Sequence, residues 1–220
     1  MTVWALLLSV LEGYLFGSIN SSIVVSKLKR NDIRQHGSGN AGATNTLRVM
    51  GKAAAAAVVV GDALKAVVTY FVAAGIAGAF HLDPANTMYC KYLAALFTVL
   101  GHNFPVFFGF RGGKGILTST TVIFLFDWRI GLMVLLLGIA LIVLTRYVSV
   151  GSMVGCVLYP MLVYAFGTGE TLPYKKWHLL LALILGVLGI VRHRKNIQKL
   201  LKGKESRIGE KSKTAEGTAV

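Results

Sequence analysis

Charged residues are scarce in this sequence, and acidic residues are the scarcest. Of its 220 residues only 15% are charged, with 9 Asp and Glu against 23 Lys and Arg, while 55% are hydrophobic. The mean hydropathy of +0.64 suits a chain with lipid on most of its sides. This composition predicts an all-α integral membrane protein that crosses the bilayer several times.

Cysteine is nearly absent as well. Cys90 and Cys156 lie far apart in apolar or boundary positions and form no metal-ligand spacing with histidine. Both are therefore predicted to be packing residues, and neither a metal ion nor another cofactor is expected. The N-terminus lacks a basic segment and a small-residue cleavage site before Lys27, so we expect a retained first span rather than a signal peptide.

Seven apolar runs predict seven transmembrane helices: residues 3–26, 53–80, 92–110, 116–126, 130–144, 153–166 and 177–191. The fourth run gives only about 16 Å of helix at about 1.5 Å per residue, which is short of the roughly 30 Å of bilayer hydrocarbon. The polar loop before it is therefore expected to lie at membrane depth. Irregular backbone survives there only inside protein or beside a wet cavity, so this loop is predicted to be part of a site.

The remaining segments are polar. Residues 192–207 predict a short basic helix at the membrane surface, and residues 208–220 predict a disordered tail after a single domain of residues 1–207. Pro160 is expected to kink the sixth span.

Basic residues set the expected orientation. Eighteen of the 23 Lys and Arg residues fall in the loops after spans one, three and five and in the C-terminal segment, against four on the other side. The positive-inside rule then predicts an N-terminus outside and a C-terminus in the cytoplasm. The same rule accounts for the basic excess without a nucleic-acid partner. The rule also places four polar clusters on the cytoplasmic face: the glycine-rich loop of residues 37–48, RGGKG at residues 111–115, the polar corner of residues 149–152 and the segment of residues 192–196.

The most unusual cluster is GSGNAGATNTLR at residues 37–48. A backbone rich in Gly and Asn can turn its N–H groups onto an anion, and hydroxyl and guanidinium groups bind phosphate oxygens. By itself such a stretch can equally be a flexible connector. Its convergence with the other polar clusters on one face favours an anion cradle.

Two familiar nucleotide motifs do not apply. Gly37, Gly39 and Gly42 match GxGxxG, but no strand precedes them and the acidic residue 20 positions on, Asp62, lies inside a span. GFRGGKG at residues 109–115 resembles a phosphate-binding loop but has the wrong spacing and no Ser or Thr after the lysine. Its Arg, Lys and glycines still suit a phosphate.

Three ionisable residues fall inside spans. Glu12 is either functional or close enough to the outer end to reach water. Asp62 and Lys65 share one helix face at i, i+3, so they either neutralise each other locally or serve the substrate side.

Three motifs together resemble a known family. GSGNAGATNTLR, GHNFPVFFGFRGGKG at residues 101–115 and RHRKNIQKLLKGKE at residues 192–205 are similar to the signatures of the bacterial acyl-phosphate-dependent glycerol-3-phosphate acyltransferases, the PlsY family. The resemblance runs from about Tyr14 to Glu205, and its one noted departure is Asn20, where the family usually has proline. It implies seven transmembrane helices in the bacterial inner membrane and an active site toward the cytoplasm. The implied reaction moves an acyl group from acyl phosphate to the 1-hydroxyl of glycerol 3-phosphate, giving lysophosphatidic acid and phosphate.

The resemblance also implies a site for two phosphate groups. Their repulsion must be offset by fixed positive charges and backbone donors. The expected catalytic residues are Ser38, Lys114 and His193. The expected substrate-binding residues are Gly39, Asn40, Gly42, Ala43, Thr44, Asn45, Arg48, His102, Arg111, Gly112, Gly113, Ser152 and Asn196. Within this set, residues 39–45 are assigned to the acyl-phosphate head and the acyl chain to an apolar groove between spans.

The proton acceptor stays open. The His-x-x-x-x-Asp dyad of the other common glycerolipid acyltransferases is absent, so His193, His102 or a substrate phosphate can take the proton. We expect direct transfer, because a covalent intermediate on Cys156 or Ser152 has no visible base partner. A transporter of organic phosphates is the alternative function, although the chain lacks the internal repeat typical of transporters. A monomer is expected.

Overall fold

The structure is a computed structural model that describes residues 1–167 and 174–209. Its ten α-helices in these ranges are α1 (Thr2–Ser18), α2 (Ser21–Leu28), α3 (Ala43–Met50), α4 (Lys52–Ala79), α5 (Pro84–Asn103), α6 (Ile116–Phe126), α7 (Trp128–Thr145), α8 (Val148–Phe166), α9 (Lys175–Arg192) and α10 (Arg194–Leu201). Short 3₁₀ turns occur at Ile33–Gln35 and Val106–Phe108. No strand occurs in the described ranges.

Each predicted span overlaps a helix, but several boundaries differ. Helix α5 begins at Pro84 and ends at Asn103, whereas the third span was predicted at residues 92–110. The first span is broken after Ser18, and the Asn20 side chain caps α2 by accepting a hydrogen bond from the Ile23 N–H over 3.1 Å. The sixth helix begins at Val148 rather than 153, so the expected polar corner forms its first turns. The second half of the 37–48 cluster, predicted to be loop, lies in α3. A helix of eight residues, only half of them apolar, is too short for a long apolar pattern to reveal it, and contacts with α2 and α4 stabilise it. The predicted tail lies outside the described residues from position 210 onward.

Four helical segments in the described ranges are long and apolar enough to cross a membrane: Thr2–Leu28, α4, α7 and α8. A fifth follows if α9 and α10, which meet at an angle of 52°, are taken as one bent span. Helix α6 has 11 residues and falls short of this length. The chain is thus an all-helical membrane protein, and the number of seven crossings stays a prediction.

Helices α1 and α5 pack closely through small residues. A Cβ atom at Gly13 would collide with the backbone of Ala94, and one at Gly17 with the backbone of Thr98. Such close contact between helix backbones is typical of membrane helices, because lipid supplies no hydrophobic drive for helices to associate and packing must do so. Gly13 and Gly17 therefore allow the close approach of α1 and α5.

The helices form two groups joined through the middle of the bundle. Helices α1, α4 and α5 pack together, as do α7, α8 and α9, while α6 contacts α4, α5 and α7. A buried cluster that includes Tyr92, Val122, Tyr159 and Leu185 fills the space between the groups. The end of α5 and the end of α9 lie at the same end of the molecule, since Arg192 at the end of α9 lies 4.9 Å from the ring centre of Phe104, which follows α5.

Candidate active site

The loop before α3 is held in shape by one buried amide. Asn45, which is 1% exposed, accepts a hydrogen bond from the Ser38 N–H over 2.9 Å. Its amide nitrogen donates to the carbonyls of Ile33 over 3.2 Å and His36 over 2.9 Å. Gly37, between His36 and Ser38, has a left-handed backbone conformation with φ +60°. A side chain at this position would also collide with the Asn45 amide. The predicted ligand Asn45 therefore shapes the loop with its side chain.

The start of α3 offers free backbone donors. Gly42 caps the helix, and the N–H groups of Ala43 and Thr44 have no acceptor in the described part of the chain. Thr44 and Arg48 lie one turn apart on the same face, and neither side chain has a protein partner there. Free N–H groups, a hydroxyl and a guanidinium at one helix start form an anion-binding arrangement.

The glycine-rich loop before α6 folds back onto the end of α5. The N–H of Gly113 donates to the His102 carbonyl over 3.1 Å, and that of Gly112 to the Asn103 carbonyl over 3.2 Å. A Cβ atom at Gly113 would strike both the His102 ring and the Ala41 carbonyl oxygen. The two glycine-rich loops, about 70 positions apart in sequence, are thus in direct contact.

A second contact ties these loops together. The Arg34 guanidinium forms an ion pair with Asp32 at 2.7 Å and donates to the Phe108 carbonyl, also over 2.7 Å. Arg34 therefore fixes the backbone of the second loop to the segment before the first.

A buried charged cluster lies beneath the second loop. Lys65 Nζ is 3.0 Å from Asp62 Oδ1 and 2.8 Å from Nδ1 of His102, and all three residues are at most 6% exposed. Lys65 also donates to the carbonyls of Gly17 and Ile19 at the break between α1 and α2. Asp62 and Lys65 thus form the local ion pair that was one of the two expectations, and Lys65 also contacts His102, whose carbonyl accepts from the second loop. A role on the substrate side stays a prediction. His102 is enclosed here, with its ring against Gly113.

The third polar segment meets the second through Lys114. Lys114 Nζ donates to Asn196 Oδ1 over 2.7 Å, and the Asn196 amide nitrogen donates to Glu205 Oε1 over 2.6 Å. Ser149 at the start of α8 donates to the same carboxylate oxygen over 2.8 Å. Sequence reasoning missed Glu205 and Ser149, because nothing in the pattern shows that residues 56 positions apart share a hydrogen bond.

Arg192 is a further residue that sequence reasoning missed. Its guanidinium donates to the Gly113 carbonyl over 2.7 and 3.1 Å and to the Gly112 carbonyl over 3.2 Å. It also lies 4.9 Å from the centre of the Phe104 ring. Arg192 lies at the end of the last span and inside the third motif, and this position is the sequence signal that could have identified it. Arg192 thus holds the second loop at Gly112 and Gly113, whereas Arg34 holds it at Phe108.

Burial shifts the protonation of two site residues. It lowers the pKa of the Lys114 ammonium from 10.5 to about 8, with Lys199 and Arg192 adding to the effect and Glu205 opposing it. Burial likewise lowers the pKa of His193 to about 4, and nearby Lys114 adds to this. Nδ1 of His193 lies 2.8 Å from the Gly189 carbonyl, which can only accept, so Nδ1 carries the proton and Nε2 holds the lone pair of the neutral ring.

An apolar groove opens beside this polar network. It runs between α6, α7, α8 and α9, and Ile116 and Ser152 lie at the end nearest the network. The Ser152 hydroxyl donates to the Val148 carbonyl over 2.9 Å within α8. Ser152 therefore stands where the groove meets the polar segments.

The predicted site residues thus fall on three segments, of which the second contacts both of the others. The first carries Ser38, Gly39, Asn40, Gly42, Ala43, Thr44, Asn45 and Arg48; the second carries His102, Arg111, Gly112, Gly113 and Lys114; the third carries His193 and Asn196, with Ser152 on the adjoining α8. Arg111 is exposed, and its guanidinium has no protein partner among the described residues.

This chain is similar to known proteins over nearly its whole length. The family profile described as glycerol-3-phosphate acyltransferase matches residues 7–203. A glycerol-3-phosphate acyltransferase of Thermoanaerobacter sp. is 42% identical over 206 residues, covering 93% of this chain and 96% of the relative. That of Halalkalibacterium halodurans is 39% identical over 208 residues, covering 94% and 97%.

Two solved structures are also similar to this chain. The crystal structure of PlsY, an integral membrane glycerol 3-phosphate acyltransferase, in its glycerol 3-phosphate form superposes with a TM-score of 0.80 at 36% identity, covering 93% of this chain and 96% of that one. Its lysophosphatidic acid form gives 0.77 at 35%, covering 93% and 95%. The chain belongs to the PlsY family of integral membrane glycerol-3-phosphate acyltransferases, enzymes of phospholipid biosynthesis.

Proposed function

We propose that this protein transfers an acyl group from acyl phosphate directly to the 1-hydroxyl of glycerol 3-phosphate, giving lysophosphatidic acid and inorganic phosphate. One observation carries the proposal. The loop around Ala41 touches Gly113, and Lys114 beside it donates to Asn196, so three distant segments meet at one place. Relatives named for glycerol 3-phosphate, and a neighbour known with that substrate and with lysophosphatidic acid, support the acceptor and product.

Two phosphate groups need separate holders. The free N–H groups at the start of α3, with residues 39–44, hold the phosphate of the donor. Ser38, Arg48, Lys114 and Asn196 orient glycerol 3-phosphate, with Ser152 and His193 at the edges of its site. Asn45 and His102 position the site rather than contact the substrates. The Asn45 side chain binds the loop backbone, and the His102 side chain binds Lys65. Arg111, exposed at the loop tip, adds positive charge at the entrance.

Because an acyl phosphate is already activated, the enzyme mainly has to place the acceptor hydroxyl against the acyl carbonyl. The hydroxyl oxygen attacks the acyl carbonyl carbon, the bond from that carbon to the phosphate oxygen breaks, and the phosphate leaves with the electron pair. Backbone N–H groups and Lys114 stabilise the charge on the carbonyl and departing phosphate oxygens. No covalent intermediate on the enzyme is formed.

The proton passes to a substrate phosphate rather than to the enzyme. Neutral His193, whose pKa is about 4, is a weak base. A phosphate dianion with a pKa of about 6 is the stronger acceptor in the same pocket. His193 Nε2 then accepts a hydrogen bond that orients an incoming hydroxyl.

The acyl chain lies in the groove between α6 and α9. Its lining is apolar, it begins at Ser152 next to the polar network, and residues such as Ile139 leave it open toward lipid. A fatty acyl chain attached to a phosphate head matches this sequence of polar end and apolar groove.

The protein acts as a monomer in the bacterial inner membrane, with seven spans, its N-terminus outside and its site toward the cytoplasm. The excess of basic residues around the site loops supports this orientation through the positive-inside rule. The short α6 supports a site that begins at membrane depth, where lipid and water-soluble substrates can meet.

The deciding experiment follows phosphate release from synthetic acyl phosphate by purified protein in detergent. Release that depends on glycerol 3-phosphate, forms lysophosphatidic acid and is lost in Arg48→Ala is the expected result. Stoichiometric acyl-protein in the absence of acceptor would contradict direct transfer. Uptake of labelled organic phosphate into sealed vesicles without acyl product would favour the alternative of a transporter.

A further inference from the structure

The directions of the helices show which end of the apolar groove lies near the polar network and which end lies far from it. Its lining runs from Ile116 to Ile123 on α6 and from Ser152 to Tyr159 on α8, and both helices begin at the polar site. Helix α7 runs the other way, so Ile142 lies near the site and Val134 far from it. Three helices therefore agree that the groove extends about 10 Å away from the polar network, at about 1.5 Å per residue.

The far end is closed by buried side chains. Ile123, Val134, Tyr159 and Leu185 are all less than 10% exposed and belong to one core cluster. Tyr159 has the largest of these side chains, and its hydroxyl lies 2.9 Å from Nε2 of His178, which is itself fully buried. The His178 ring stacks against Tyr92, so the tyrosine ring is anchored to a rigid aromatic group.

Two glycines keep the groove open. A Cβ atom at Gly155 would meet Val134 only at 3.4 Å, and one at Gly138 would meet the Gly151 carbonyl at 3.6 Å, both ordinary contact distances. Gly151 and Gly186, by contrast, have no room for a side chain because another helix lies against them. Helix packing thus accounts for the lack of a side chain at Gly151 and Gly186. At Gly155 and Gly138 a side chain would instead project into the groove, so glycine at these positions keeps the groove empty.

We propose that Tyr159, anchored by His178, is the end stop of the acyl groove and that Gly155 keeps the path to it open. This inference rests on the proposed function. An extended alkyl chain advances roughly 1.3 Å per carbon, because bonds of about 1.5 Å zigzag, so the groove encloses about eight carbons. Carbons beyond the stop leave through the open side, past Leu135 and Ile139, into lipid. The enzyme therefore senses the first part of an acyl chain and is indifferent to the rest.

The test measures kcat/KM for a series of straight-chain acyl phosphates from butanoyl to hexadecanoyl, in one detergent, for wild type and three variants. For the wild type, kcat/KM rises by up to about fourfold per added carbon, the factor for burying one methylene group. It levels at about eight carbons, the length that the groove encloses. Tyr159→Ala moves that plateau to longer chains, while Gly155→Val fills the groove and moves it to about four carbons. Tyr159→Phe keeps the ring and leaves the plateau in place.

The outcomes separate the two ideas. No glycerol 3-phosphate-dependent transfer with any acyl phosphate would sink the proposed function itself. Transfer with the same plateau in Tyr159→Ala and Gly155→Val as in the wild type overturns the end stop. A plateau shifted equally by Tyr159→Phe overturns it too, since the hydrogen bond rather than the ring would then be responsible. If Tyr159→Ala does not fold, Gly155→Val decides alone, because a Cβ atom at Gly155 meets its nearest neighbour, Val134, only at an ordinary contact distance.

Discussion

Lys114 Nζ donates a hydrogen bond to Asn196 Oδ1 over 2.7 Å, although the two residues are 82 positions apart. The bond joins the loop between α5 and α6 to the first turn of α10. It is continued by Asn196 to Glu205 and from there to Ser149, so one lysine is oriented by groups from three elements. A lysine oriented in this way presents its charge at one fixed position instead of sampling solvent.

Replacing Lys114 is expected to remove most of the acyl transfer. A hydrogen bond from a charged group contributes about 1.5–3 kcal/mol, so Lys114→Ala lowers kcat/KM for glycerol 3-phosphate roughly 10- to 150-fold. Lys195→Ala, an exposed lysine on α10, is the matched control and changes it little. Steady-state kinetics of both variants measure the difference, and equal effects would show that bulk positive charge is what matters.

The rate should fall on the alkaline side as Lys114 loses its proton. Its pKa is about 8, so the ammonium is charged below that pH and is progressively neutral above it. Since the charged form binds phosphate, kcat/KM of the wild type declines as pH rises through about 8. In Lys114→Arg this limb moves to higher pH, because a guanidinium keeps its proton. A pH profile with the same alkaline limb in both proteins would assign that limb to another group.

Arg192 is expected to act by holding the second glycine loop. Its planar guanidinium reaches the carbonyls of both Gly112 and Gly113, a geometry that one ammonium group cannot reproduce. Arg192→Lys should therefore lower kcat/KM by about tenfold, the effect of losing about 1.4 kcal/mol, while Arg194→Lys does not. The midpoint of thermal unfolding, measured alongside, should change little. A large drop in that midpoint with unchanged activity would make Arg192 a stabilising residue only.

Two glycine-to-alanine changes should have opposite effects. At Gly113 a methyl group would meet the His102 ring and the Ala41 carbonyl, so Gly113→Ala separates the two loops and abolishes transfer. At Gly75, inside α4, a methyl group meets nothing within 4 Å. Gly75→Ala should retain activity and stabilise the helix by roughly 0.5–1 kcal/mol. Activity assays and thermal unfolding compare the pair, and an active Gly113→Ala protein would show that the loops need not touch.

The sequence motifs predicted more of the candidate site than of the fold. Ser38, Lys114 and Asn196 were selected because hydroxyl, ammonium and amide groups in glycine-rich or basic motifs suit phosphate, and the structure places them on contacting segments. Arg192 was passed over, since at the end of an apolar run a basic residue is already explained by topology. Asn45 and His102 were grouped with the ligands, because composition alone does not distinguish a side chain that binds substrate from one that binds a loop.

The amino-acid sequence by itself determined that the chain is helical and membrane-embedded, which seven apolar stretches overlap helices, and which three motifs hold the polar groups. Those features depend on local hydropathy and composition, which are properties of neighbouring residues. Only the tertiary structure decided that Gly113 rests on His102 and Ala41, that Glu205 joins Lys114 through Asn196, and that Tyr159 closes the groove. Each of these depends on side chains meeting across different helices, and no pattern along a single segment specifies which distant residue will be opposite.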